Sequence, residues 1–209
     1  MRQLLDRIEQ VIEDLGCPEA VWFRGHVAEH RLLPSLLRLS EGMDNEHQII
    51  DGYEYREIGS KGENSGHDPA MLTRMYNSYR PTRLLAWTQR WQVALFCALV
   101  KGSKNPTVFV MDPFALNALS GITGLLKSPT AHDHRFLDWS DPLLLEHPIA
   151  VDARASDLQG PAVDGIFTLH GRNRLPLEEQ CSACVRKIVL TEAEKSLASQ
   201  SVLDSDWSP

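Results

Sequence analysis

Ala20-Val21-Trp22-Phe23-Arg24-Gly25 is a short, mostly apolar run of β-type residues that ends in a charge and a glycine. That pattern belongs to a buried strand whose last side chain emerges at a sheet edge or in a cleft. Upstream, Leu4, Leu5, Ile8, Val11, Ile12 and Leu15 recur at three- and four-residue steps and stop at Gly16. The spacing predicts an amphipathic helix over 1–16, laid by one face against a domain that fills residues 17–209.

Downstream, Leu32, Leu33, Leu36 and Leu37 with Pro34 in the first turn start a short helix. Residues 40–69 alternate acidic, glycine and histidine residues and read as a mobile loop, most clearly at Gly59 to Gly66. Met71, Leu72, Met75 and Tyr76 suggest a helix closed by Arg80-Pro81, because the residue before a proline is pushed out of the helical region. Thr88 is a plausible N-cap for a buried helix over 89–100.

Strands are expected at 107–111, 149–153, 166–170 and 187–190. Asp112-Pro113 should open a helix over 114–119, and Thr191-x-x-Glu194 is a capping box for the last helix. Helices dominate the first half and strands the second. The reading is therefore α+β: a single domain with a mostly antiparallel or mixed sheet of about five strands, flanked by helices.

The chain has 209 residues, 43% of them hydrophobic, and a formal net charge of -7. It is long enough for one full core. The mean field repels nucleic acid and anionic membranes, so neither is an expected partner. No apolar run reaches the length of a membrane span, and the expected location is the cytoplasm. Cys17, Cys97, Cys181 and Cys184 read as reduced thiols, with Cys97 a small hydrophobe in a helical run. Cys181-x-x-Cys184 lacks a second ligand pair, and His132-Asp133-His134 lacks a closing ligand unless Asp138 or Asp141 supplies one, so no metal is expected.

Trp22-Phe23-Arg24-Gly25 followed by Leu33-Pro34-Ser35-Leu36-Leu37-Arg38 resembles the FRG domain family, named for its phenylalanine-arginine-glycine signature. Pro81-Thr82-Arg83-Leu84-Leu85-Ala86-Trp87-Thr88 and the apolar run after it look like the family's second block. Gly165-Ile166-Phe167-Thr168 and Lys187-Ile188-Val189-Leu190 resemble later ones, so that the likeness runs over roughly 18–200. Ala86 stands where the family usually has aspartate, Tyr76-Asn77 where glutamine-histidine is common, Tyr79 in place of a glycine, and Val163-Asp164 where paired glutamines are usual.

The resemblance implies a role in bacterial or phage conflict, as a toxin or in phage defence. The strand-ending arginine is also similar to the one that grips NAD in ADP-ribosyltransferases. On that analogy Arg24 and Arg83 hold the NAD diphosphate, and Asp164 supplies the carboxylate that steadies an oxocarbenium-like ribose, with Glu178 and Glu179 as alternatives. Thr82, Trp87, Thr168 and His170 complete the expected cofactor site. A guanidinium at a strand end suits bidentate capture of phosphate. The partners implied are a nucleotide, a protein target and a neutralising protein. The alternative, favoured by Ala86, is a non-catalytic module of the same fold that recognises a protein or nucleotide ligand.

Overall fold

The structure is a computed structural model, and it describes residues 2–58, 69–100, 104–127, 145–153 and 165–204. The chain runs α1 (Arg2–Asp14), β1 (Trp22–His26), a 3-10 turn (Leu36–Arg38), α2 (Glu46–Tyr53) and a π-helical turn (Glu54–Ile58). It continues through α3 (Pro69–Asn77), β2 (Leu84–Trp87), α4 (Trp91–Leu99), β3 (Thr107–Met111), α5 (Pro113–Ala118) and β4 (Leu126–Lys127). The last elements are β5 (Ile149–Asp152), β6 (Ile166–Leu169), α6 (Leu177–Gln180), β7 (Val185–Val189) and α7 (Glu192–Asp204). The fold is α+β.

Two sheets form, in the orders β1-β3-β7 and β2-β6-β5-β4. All pairings are antiparallel except the two-residue contact of β4 with β5. The sheets touch at one bridge, where the Phe23 N–H donates to the Thr88 carbonyl and the Thr88 N–H to that of Phe23. Beyond it β1 and β2 diverge, each toward its own partners.

Trp22, Leu85, Trp87, Phe109, Met111 and Ile166 build a core shared by both sheets. On the other face of the first sheet, Phe23, Val108, Val110 and Ile188 meet Leu4 and Ile8 of α1, Ala94, Leu95 and Ala98 of α4, and Ala198 of α7. That packing explains Gly25: a Cβ there would stand 1.7 Å from the Ala94 carbonyl oxygen, so only glycine lets α4 lie directly on the strand.

Two of the three expected caps form. Asp112 accepts from the Phe114 and Ala115 N–H groups at the start of α5. In the box opening α7, Glu194 accepts from the Thr191 N–H and Thr191 Oγ1 from the Glu194 N–H. The third does not: α4 starts at Trp91 with Arg90 as its N-cap and no side-chain cap, and Thr88 Oγ1 instead accepts from the Arg90 N–H in the turn before the helix.

Several expectations need correction. β1 ends at His26 rather than Gly25, which puts Arg24 in mid-strand. Within the expected loop 40–69, residues 46–58 are helical and bury Glu46, Ile50 and Tyr53, because an ion pair and two apolar side chains tie them down. The part from 59 to 68 lies outside the described residues. Cys181 and Cys184 are joined in a disulfide, since the turn from α6 into β7 brings their Cα atoms to 5.4 Å. Cys97 is exposed on α4 rather than buried.

Among the described residues no helix is long and apolar enough to cross a membrane. None of them form a group of three or more metal-ligand side chains. His132, Asp133, His134, Asp138 and Asp141 lie outside the described residues.

Candidate functional site

A cavity of about 460 Å³ opens where the two sheets fork. β1 contributes Phe23, Arg24 and Gly25 to its wall, and the end of β2 contributes Ala86, Trp87 and Thr88. The end of α3 and the turn after it add Tyr76, Asn77, Tyr79 and Arg80, and α4 adds Val93, Ala94 and Cys97. Its volume falls in the usual range of roughly 300–1,000 Å³ for small-molecule sites.

Side chains alternate along a strand, so Arg24 and His26 share one face of β1. Arg24 Nε donates to His26 Nε2 at 2.8 Å, and Nη1 donates across the fork to the Ala86 carbonyl. The His26 Nδ1–H faces the His30 carbonyl at 3.2 Å, which fixes the neutral tautomer. Burial, with the Arg24 charge behind it, lowers the His26 pKa to about 4. Burial also lowers the pKa of Arg24, opposed by the neighbouring Tyr76 phenol. A guanidinium nevertheless stays protonated in proteins. Among the described residues no carboxylate pairs with it. Arg24 is thus a cation held by neutral acceptors beside an open cavity. Burial raises the Cys97 thiol pKa, against the opposing pull of Arg24, so this thiol is neutral near pH 7 and adds no charge to the wall.

Arg80 is a second cation in the lining, half-exposed and only loosely paired with Glu57 at 3.5 Å. Its position follows from how α3 ends. The Arg80 N–H reaches back to the Met75 carbonyl and the Tyr79 N–H to that of Tyr76, a Schellman closure. The residue between helix and Arg80 must then turn left-handed, and Tyr79 does so at φ 56°. A side chain other than glycine costs about 1 kcal/mol in that conformation. Tyr79 is nonetheless 90% exposed at the cavity mouth.

Of the site residues expected from the sequence, the structure brings Arg24 and Trp87 to the cavity, while Thr82, Arg83, Thr168, His170, Glu178 and Glu179 are not in its described lining. Arg83 is 0% exposed, and its Nε lies 2.6 Å from both carboxylate oxygens of Glu46. Its Nη1 donates to the Gly171 carbonyl. Arg83 is therefore a buried brace between α2, β2 and the segment after β6, and the expected pairing with Arg24 in one hollow does not form. Thr82 is buried beside it, its N–H donating to Ser35 Oγ and its hydroxyl accepting from the Leu84 N–H.

Thr168 and His170 lie behind the wall. Trp87 Nε1 donates to Thr168 Oγ1, which stands 3.2 Å from His170 Nε2, so the pair holds the indole from its buried side. Burial first, and then Arg83, lower the His170 pKa to about 3. Trp22 is fully buried in the core. Glu178 accepts from the Leu32 N–H and Glu179 pairs with Arg31, both away from the cavity. Asp164 lies outside the described residues. The sequence reading named Tyr76, Asn77 and Tyr79 as departures from the family pattern, and Arg80 as a helix end, but counted none of them among the site residues. The proline after Arg80 marked the helix end but not which way the chain turns there.

The family model of the FRG domain matches residues 19–106. That span carries β1, the Schellman turn, β2 and α4, and so every residue of the cavity wall. The stretches at 165–168 and 187–190 lie outside the match. No curated protein and no solved structure matches the chain.

Proposed function

The chain carries an FRG domain, and on that premise we propose that the cavity at the sheet fork binds an anionic nucleotide, with NAD the first candidate. The single observation that supports this is Arg24: a guanidinium in a concave, largely apolar wall, satisfied by an imidazole and a carbonyl but neutralised by no carboxylate among the described residues. A desolvated charge without a counter-charge is costly, and a phosphate offers that charge together with bidentate geometry. Arg80 stands ready at the same wall for a second anionic oxygen. The donor set fits a diphosphate, and the tyrosines and Trp87 offer surface for its rings.

In this reading the protein is a binding module before it is an enzyme. Transfer of ADP-ribose needs a carboxylate near the ribose. The described lining holds none. Bound NAD should raise the melting temperature of the wild type and leave that of Arg24→Ala unchanged. Nicotinamide release measured in the same samples separates the two activities: binding without release supports the module, and release supports transfer.

A further inference from the structure

The end of α3 joins three features that packing does not explain together. Tyr79 occupies the left-handed position of a Schellman closure, where glycine is the default. Its ring is 90% exposed, so no buried contact offsets the backbone strain. It nevertheless lines the same cavity as Arg24, next to Arg80. Its neighbour Tyr76 differs: that ring packs edge-on against Phe167, at a centroid distance of 5.4 Å, and belongs to the wall.

Strain held in the backbone at a cavity rim points to function when nothing in the fold accounts for it. What the tyrosine adds over glycine is a flat π-face with a polar tip, presented to solvent at the opening. We propose that Tyr79 is the ring-stacking residue of the site. It lies on the base or nicotinamide of a ligand whose phosphate Arg24 holds. This rests on the anion-binding reading and narrows it: the ligand class is a nucleotide rather than a simple phosphate or sugar phosphate, because only a planar ring uses Tyr79.

The experiment compares wild type, Tyr79→Gly, Tyr79→Phe and Arg24→Ala by calorimetric titration with NAD, AMP and inorganic pyrophosphate, alongside melting curves. Tyr79→Gly should melt about 2–4 °C higher, because glycine relieves the left-handed strain. It should bind NAD and AMP about tenfold more weakly, as loss of an aromatic–base stack does. Its affinity for pyrophosphate should not change, and Tyr79→Phe should bind like the wild type.

If Tyr79→Gly binds the nucleotides as tightly as wild type while Arg24→Ala loses them, the stacking role is overturned and the anion site stands. If Tyr79→Gly melts lower, the ring supports the fold and the proposal is likewise overturned. If wild type binds neither nucleotides nor pyrophosphate, the nucleotide-binding reading itself fails and takes this one with it.

Discussion

The Arg83 guanidinium and the Glu46 carboxylate face each other in the interior, with Nε 2.6 Å from both oxygens and neither side chain open to solvent. The pair ties α2 to β2 across 37 residues of sequence. Such a pair is weak as a stabiliser but expensive to break, because the remaining charge is stranded. Glu46→Ala should therefore lower the unfolding free energy by about 3–5 kcal/mol in urea titration. Arg83→Met combined with Glu46→Leu should recover most of that loss. A Glu46→Ala loss within the error of zero would mean that the interior at this point is wet.

Gly25→Ala places a methyl group where the Ala94 carbonyl already stands, at 1.7 Å from the built Cβ. Backbone on both sides has to move, since no flexible side chain can yield. Urea unfolding should show a loss of at least about 3 kcal/mol, at the upper end of single-substitution effects. A near-neutral Gly25→Ala would contradict the packing of α4 on β1.

Both buried histidines titrate far below the ordinary value of 6.5, His26 at about 4 and His170 at about 3, through burial first and a neighbouring arginine second. Above pH 6.5 they are neutral in folded and unfolded chains alike, so stability there does not depend on them. Below it the unfolded chain takes up the protons first, and stability falls as the pH drops toward 4. At pH 5 each should cost about 2 kcal/mol relative to pH 7.5. Glu194, whose depressed pKa acts only below the carboxylate range, leaves the window between 5 and 6.5 to the histidines. Urea unfolding at pH 7.5, 6 and 5 should show this slope, and His26→Gln should lessen it; a flat profile would mean that the imidazoles are open to water.

Cys97 gives a chemical probe of the cavity. Its thiol is exposed in the wall yet has a raised pKa, so iodoacetamide should label it slowly at pH 7 and faster as the pH rises above 9. In a Cys17→Ser background, which removes the other exposed thiol, saturating NAD should slow labelling at least about fivefold. Labelling indifferent to NAD would place the nucleotide elsewhere.

The sequence made β1, the Asp112 cap and the Thr191–Glu194 box legible because each is decided within a few residues. β2 was not legible as a strand: Leu84–Trp87 is an apolar run that leads into the apolar run of α4, and periodicity cannot divide such a stretch. α2 was hidden because its helix depends on a buried ion pair with a residue far along the chain. The same cause misplaced the second arginine. Residue type named Arg83 and Arg80 equally as cations, but only the turn after α3 and the partner at Glu46 decide that Arg80 meets the cavity and Arg83 the interior. Arg24 was found because a charge that closes an apolar run is a local anomaly in the sequence, although the strand itself continues to His26.

The central claim is that the Arg24 guanidinium is the anion anchor of the cavity. Its most direct measurement is calorimetric titration of NAD into wild type and Arg24→Ala, with folding checked by circular dichroism. The account expects a saturable heat for the wild type and a loss of at least about a hundredfold in affinity, near 3 kcal/mol, for the folded variant. Equal binding by the two proteins would contradict it.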